Sequence, residues 1–176
     1  FLSVEVTTYF PENNCKLHVL VYDITPAQFE KIDSIRRNVY LFRDYIREEN
    51  LAYSVAHGFY NINQKLDIDT LEKMLLLFDV FEGLNGARNR YYNETWQQIL
   101  SSLTPEHMRE LEDKHGIEPM SRDPWIKGFT GGSDDHAGLF IGLTLTTANC
   151  LATKDALIDS IRNRQTRCSG RCNDYK

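Results

Sequence analysis

The sequence predicts an α/β domain of the barrel type, with its chemistry gathered at strand ends. Strand patterns alternate with helical ones along most of the 176 residues, as in a chain of βα units. Several helix starts carry full capping signals, which delimits the helices from the strands. Ionisable residues fall where strands run out. That is the geography of a barrel whose catalytic groups stand at the C-terminal ends of parallel strands. The length suits a single domain, residues 1–176, with a sizeable core.

The elements follow in order. "LSVEVTTYF" alternates Leu2, Val4 and Val6 with Ser3, Glu5 and Thr7, a strand with an acid on its polar face. "PENNC" is a turn and "KLHVLVYDI" the next strand, so a hairpin is expected. Thr25 as N-cap, Pro26 at N1 and Gln28 closing a capping box begin a helix, with Ile24 and Phe29 as its staple. Phe29, Ile32, Ile35, Val39, Phe42 and Ile46 recur at steps of three and four, which predicts one long amphipathic helix ending near Glu49 and Asn50. "LAYSVAHGF" is a short strand ending in His57, and "LDIDTLEKMLLLF" starts a helix near Asp67 or Asp69. "LFDVFEGLN" is an apolar strand ending at Glu82, and a helix runs through "NRYYNETWQQILSSL". Thr104 and Pro105 open another helix, stapled by Leu103 and Met108, that stops at His115 and Gly116. "IKGFTGGSDDH" is a strand running into a glycine loop, "GLTLTTA" a last short strand, and Thr153 caps a final helix to about Arg164.

The net charge of −5 argues against a general nucleic-acid backbone binder, which would be basic. No apolar run approaches the roughly 18 residues of a membrane helix. Cys15 and Cys150 are isolated, and Cys168 and Cys172 have no second Cys or His pair nearby to complete a zinc knuckle. All four read as free thiols of a reducing compartment, the cytoplasm.

Candidate chemistry lies at the strand ends. Glu5 is an acid on a polar strand face, although such carboxylates are mostly solvated. His18 is flanked by Leu17, Val19 and Leu20, where a lone histidine is more often a hydrogen-bonded core residue. His57 ends a strand, and Asp134 and His136 form an Asp-x-His pair in "GGSDDHAG". Together they make a carboxylate–imidazole set suited to zinc, iron or manganese, of the kind that activates water for attack on a phosphoryl or carbonyl centre. Gly131 and Gly132 are expected to turn the backbone sharply towards that site, and Gly138 to let it leave. His107 and His115 belong to helix ends, and surface or dipole interactions account for them.

"SVEVTT", "KLHVLVYDIT", "YSVAHGFY", "FEGLNGARN" and "GGSDDHAG", in this order, resemble the PHP family (polymerase and histidinol phosphatase domains) over about residues 1 to 165. The resemblance implies a distorted, TIM-like (β/α)7 barrel. It also implies phosphoester hydrolysis at a cluster of up to three divalent ions (Zn, Mn or Fe). It places Glu5, His18, His57, Asp134 and His136 among the metal ligands, with His57, Asp134 and His136 catalytic. Gly58 stands where the family usually has proline after the histidine. Glu82 and Asn85 fall near a phosphorylated small-molecule substrate, and Arg88, just beyond the strand end, offers a bidentate fork for phosphate. Asp135 occupies a slot often filled by a small residue and is expected to cap the next turn or to support a ligand. The family opens on a His-x-His motif that would precede Phe1, so the barrel is expected to be incomplete at its N-terminus. A non-catalytic PHP-like structural or regulatory module of a larger protein is the alternative, because fold does not imply function. A carbon–nitrogen hydrolase of the amidohydrolase type is a third reading.

Overall fold

A computed structural model describes residues 1–172. The chain runs β1 (Val4–Tyr9), β2 (Lys16–Tyr22), α1 (Pro26–Ile35), α2 (Val39–Glu48), β3 (Ala52–Ala56), α3 (Ile68–Leu77) and β4 (Val80–Asn85). It continues through α4 (Arg90–Ser101), α5 (Pro105–His115), β5 (Gly128–Gly132), β6 (Thr144–Ala148), α6 (Lys154–Arg162) and β7 (Thr166–Gly170).

The expected (β/α)7 barrel is not what forms. Five strands make one mixed sheet in the order β1-β2-β3-β4-β5, and β6 and β7, with α6 between them in the chain, pair separately as a two-stranded antiparallel sheet. β1–β2 and β2–β3 are antiparallel; only β3–β4 and β4–β5 are parallel. The turn between β1 and β2 explains the first departure. Phe10 and Cys15 close it through the Cys15 carbonyl, with Asn14 in the left-handed region at φ 57. A parallel pair would need a crossover of a dozen or more residues, which this turn cannot supply. At the other end, the edge of β5 is occupied by side chains instead of a further ladder. The Thr146 hydroxyl accepts from the Gly131 N–H and faces its carbonyl, both at 3.0 Å, and the Thr166 hydroxyl donates to the Phe129 carbonyl at 2.8 Å. Those contacts cover the exposed edge and end the sheet there. They also account for Gly131, since a Cβ at that position would lie 2.7 Å from the Leu145 carbonyl oxygen.

The open sheet still curls. Strands two apart in a flat sheet stand about 9.5 Å from each other. Yet the Ser54 hydroxyl of β3 and the Thr130 hydroxyl of β5 meet at 2.6 Å across β4. Glu5, His18, Ser54, Glu82 and Thr130 share this concave polar face by strand register. The other face of β1 and β2 carries Val6, Leu17, Val19 and Val21, which join Ile32, Val39, Phe42 and Ile46 in one buried cluster.

The single helix expected from Thr25 to Asn50 is two. The Thr25–Gln28 capping box forms as read from the sequence. However, α1 ends at the Arg36 cap and Asn38 starts a second helix, its side chain accepting from Tyr40 N at 2.9 Å and Leu41 N at 3.4 Å. The apolar spacing bridges the break, so periodicity hides it. Asn38→Ala should remove that cap and lower stability by about 1 kcal/mol. A chemical denaturation midpoint measures this, and an unchanged midpoint would mean that the break does not depend on the cap. β7 was not anticipated. Its sequence "TRCSG" has no apolar alternation, and it is held by pairing with β6.

Candidate metal centre

His57 is the first residue after β3. It takes φ 35, a left-handed backbone that non-glycine residues rarely adopt. Both ends of its peptide are held. Its N–H donates to Glu82 Oε2 at 2.9 Å, and its carbonyl accepts from the Tyr92 hydroxyl at 2.8 Å and from Tyr60 N at 2.7 Å. Gly58 follows because a Cβ there would lie 3.0 Å from the Trp96 ring. His57 is 6% exposed, and its Nδ1 is buried without a partner. Burial, then the neighbouring His18, pushes the ring's pKa down to about 4, so it is neutral at neutral pH with a lone pair to offer.

His18 stands opposite Ala56 in the sheet, two residues diagonal to Glu5 on the neighbouring strand. Its Nδ1 lies 2.7 Å from Glu5 Oε1, and its ring centroid is 5.1 Å from that of His57. The hydrogen bond from His18 holds the Glu5 carboxyl below its usual range. One ligand atom from each of Glu5, His18 and His57 lies within 4.8 Å of the other two. Tetrahedral ligands on a zinc ion stand about 3.4 Å apart, so small side-chain adjustments would close this set around one ion.

Asp134 also has a left-handed backbone, at φ 46. It accepts from Asn85 Nδ2 at 3.1 Å and faces Arg88 Nη2 at 3.7 Å. The His136 ring is largely exposed, its Nδ1 3.2 Å from the Asp134 carbonyl. These five residues and Arg88 line a cavity of about 200 Å³, completed by Tyr60 and Ile62. A separate cavity of about 680 Å³, between α5 and residues 118–125, shares none of them.

Among the residues expected near substrate, Arg88 lines the cavity. Its guanidinium carbon sits 3.6 Å from the Tyr60 ring centroid, and its Nε is buried without a partner. Glu82 and Asn85 lie outside the cavity lining, at 4% and 1% exposure. Burial raises the Glu82 carboxyl to about 7, against the hydrogen bonds from Asn85 and from the His57 N–H that oppose it. Gly132 sits against it, where a Cβ would come within 2.7 Å of Glu82 Oε1. Close approach, not a sharp turn, is therefore the reason for glycine at 131 and 132; the left-handed turn falls at Gly138, φ 74. Asp135 caps that loop, accepting from the N–H groups of Ala137 and Phe140.

Tyr60, Ile62 and Tyr92 carried no sequence signal for this site, since aromatic and apolar residues are common in any core. His107 and His115 do not line the cavity. His115 closes α5 and meets Glu72 Oε2 at 2.6 Å. With Asp69 these form a second cluster of ligand types, but the Lys114 ammonium already bonds both carboxylates, at 2.8 and 2.6 Å. All four cysteines are free, and no helix among the described residues is long and apolar enough to cross a membrane.

No protein-family model matches this sequence, and no curated protein matches it.

Proposed function

We propose that this chain is a metal-dependent hydrolase of phosphoester bonds, related to the PHP family. Glu5, His18 and His57 are the main ligand set for zinc, manganese or iron, and Asp134 and His136 stand at the same cavity. The observation that carries the reading is the His57 Nδ1. It is a buried, unpartnered nitrogen on a ring that is neutral at neutral pH and that places one ligand atom within 4.8 Å of those of Glu5 and His18. An orphaned buried polar atom costs stability and calls for an explanation; a metal bond supplies one. A divalent ion held there would lower the pKa of a bound water to about 7 and neutralise phosphoryl charge.

The protein's own groups then have separate tasks. Arg88, steadied by the Tyr60 ring and Asp134, offers its remaining N–H donors to the non-reacting oxygens of a phosphorylated small molecule. Tyr60 and Ile62 wall the cavity against bulk water. His136, tethered through Nδ1 at the exposed mouth, leaves Nε2 to pass a proton to the departing oxygen.

The test is turnover of p-nitrophenyl phosphate and bis-p-nitrophenyl phosphate with added zinc, manganese or iron. Turnover should need metal, stop with chelator, and show KM raised about tenfold or more in Arg88→Ala, from the loss of a charged hydrogen bond. Metal binding without turnover on either ester would favour the non-catalytic module instead.

A further inference from the structure

Two site residues, His57 and Asp134, hold left-handed backbones, and one buried bridge joins them. Glu82 Oε2 accepts from the His57 N–H at 2.9 Å and from Asn85 Nδ2 at 2.7 Å. The same Asn85 Nδ2 donates to Asp134 Oδ2 at 3.1 Å. Asn85 is locked from every side. Its Oδ1 accepts from Ala87 N at 3.0 Å, its N–H donates to Asn93 Oδ1 at 2.9 Å, and its carbonyl accepts from Asn93 Nδ2 at 3.0 Å. Every polar atom of Asn85 is already engaged within the protein. Glu82 lies within β4 and Asn85 ends it; β4 is the strand between β3 and β5, from which His57 and the Asp134 loop emerge. Gly132, with no Cβ, leaves room for the Glu82 carboxylate.

We infer that Glu82 and Asn85 are positioning residues. They hold His57 in its left-handed turn and set its distance from Asp134, so the metal affinity of the cavity depends on a carboxylate that does not touch the ion. This rests on the metal reading above. The bond that matters is acceptance by Glu82 Oε2, which a glutamine oxygen can also provide, so acceptor geometry and not negative charge is the determinant. Supporting groups of this kind change metal affinity by about 10–100-fold when removed.

The experiment is zinc affinity by competition with a chromophoric chelator, with circular dichroism and melting recorded for each variant. Glu82→Ala should weaken zinc binding about 10–100-fold, and Glu82→Gln by less than about threefold. Gly132→Ala leaves the bridge residues in place but drives a methyl group against Glu82, and should weaken binding about tenfold; it serves if Glu82→Ala does not fold. Wild-type affinity in both Glu82→Ala and Gly132→Ala would overturn the bridge and leave the metal reading standing. Loss in Glu82→Gln as large as in Glu82→Ala would overturn the acceptor role. Absence of zinc binding by the unmutated protein would instead remove the metal reading and the bridge's role with it.

Discussion

His57→Ala should lower metal-dependent turnover by several orders of magnitude while leaving the fold intact. The ring supplies the one buried ligand of the set, and its Nδ1 makes no hydrogen bond that the mutation would break. The contacts that hold the turn belong to the His57 main chain, through Glu82, Tyr92 and Tyr60, and alanine keeps them. What goes is an imidazole, and with it the ion whose water would otherwise ionise near pH 7 and not near 15.7. His115→Ala is the control. It loses a contact to Glu72 at the α3–α5 interface and touches nothing in the cavity, so turnover should stay at the wild-type level. Turnover and zinc affinity, measured beside circular dichroism, check both. A folded His57→Ala protein with near-full turnover would remove this histidine from the chemistry.

The largest loss of stability is expected at Lys127, far from any chemistry. Its ammonium has no exposed surface and donates to three oxygens: the Leu75 carbonyl at 2.7 Å, the Phe78 carbonyl at 2.8 Å and Asp79 Oδ1 at 3.0 Å. Burial pushes its pKa down, with Asp79 acting the other way. The residue therefore caps the C-terminal end of α3 and neutralises a buried aspartate at the start of β4. Lys127→Met keeps the apolar stem but strands Asp79, whose remaining cation, Arg164, is 3.9 Å away. Removing one partner of a buried pair costs about 3–5 kcal/mol, whereas replacing both by apolar groups can be nearly neutral. Lys127→Met should thus shift the urea midpoint strongly, and Lys127→Met with Asp79→Leu should recover part of the loss. Equal midpoints for wild type and Lys127→Met would mean that the pair is not holding α3 to β4.

Local order was legible in the sequence wherever one rule governs it. Thr25, Asp67, Thr104 and Thr153 cap helices because a side-chain oxygen reaches the first free N–H groups, and Gly116 ends α5 at φ 63 as a left-handed cap should. The strands around His18, His57 and Asp134 were legible from apolar runs ending in polar residues. The barrel was not, because closure depends on partners distant in sequence. The antiparallel start was legible as the hairpin at residues 10–15, but nothing in the sequence showed that threonine hydroxyls from β6 and β7 occupy the last edge. The Asn38 break was masked by an apolar period that continues through it. At the site, Glu5, His18, His57, Asp134 and His136 could be picked out by residue type and place. The roles of Glu82 and Asn85 could not. Sequence shows a carboxylate and an amide at a strand end, and only burial and register show that they face His57 and Asp134 from below.

An ion between Glu5, His18 and His57 can be located by anomalous diffraction from zinc-soaked crystals, recorded across the zinc edge. The expected result is a peak about 2.0–2.2 Å from one oxygen of Glu5 and one nitrogen of each histidine, His57 Nδ1 among them. A map with no peak in that cavity at saturating zinc, or with its only peak at Asp69, Glu72 and His115, would mean that Glu5, His18 and His57 do not form a metal site.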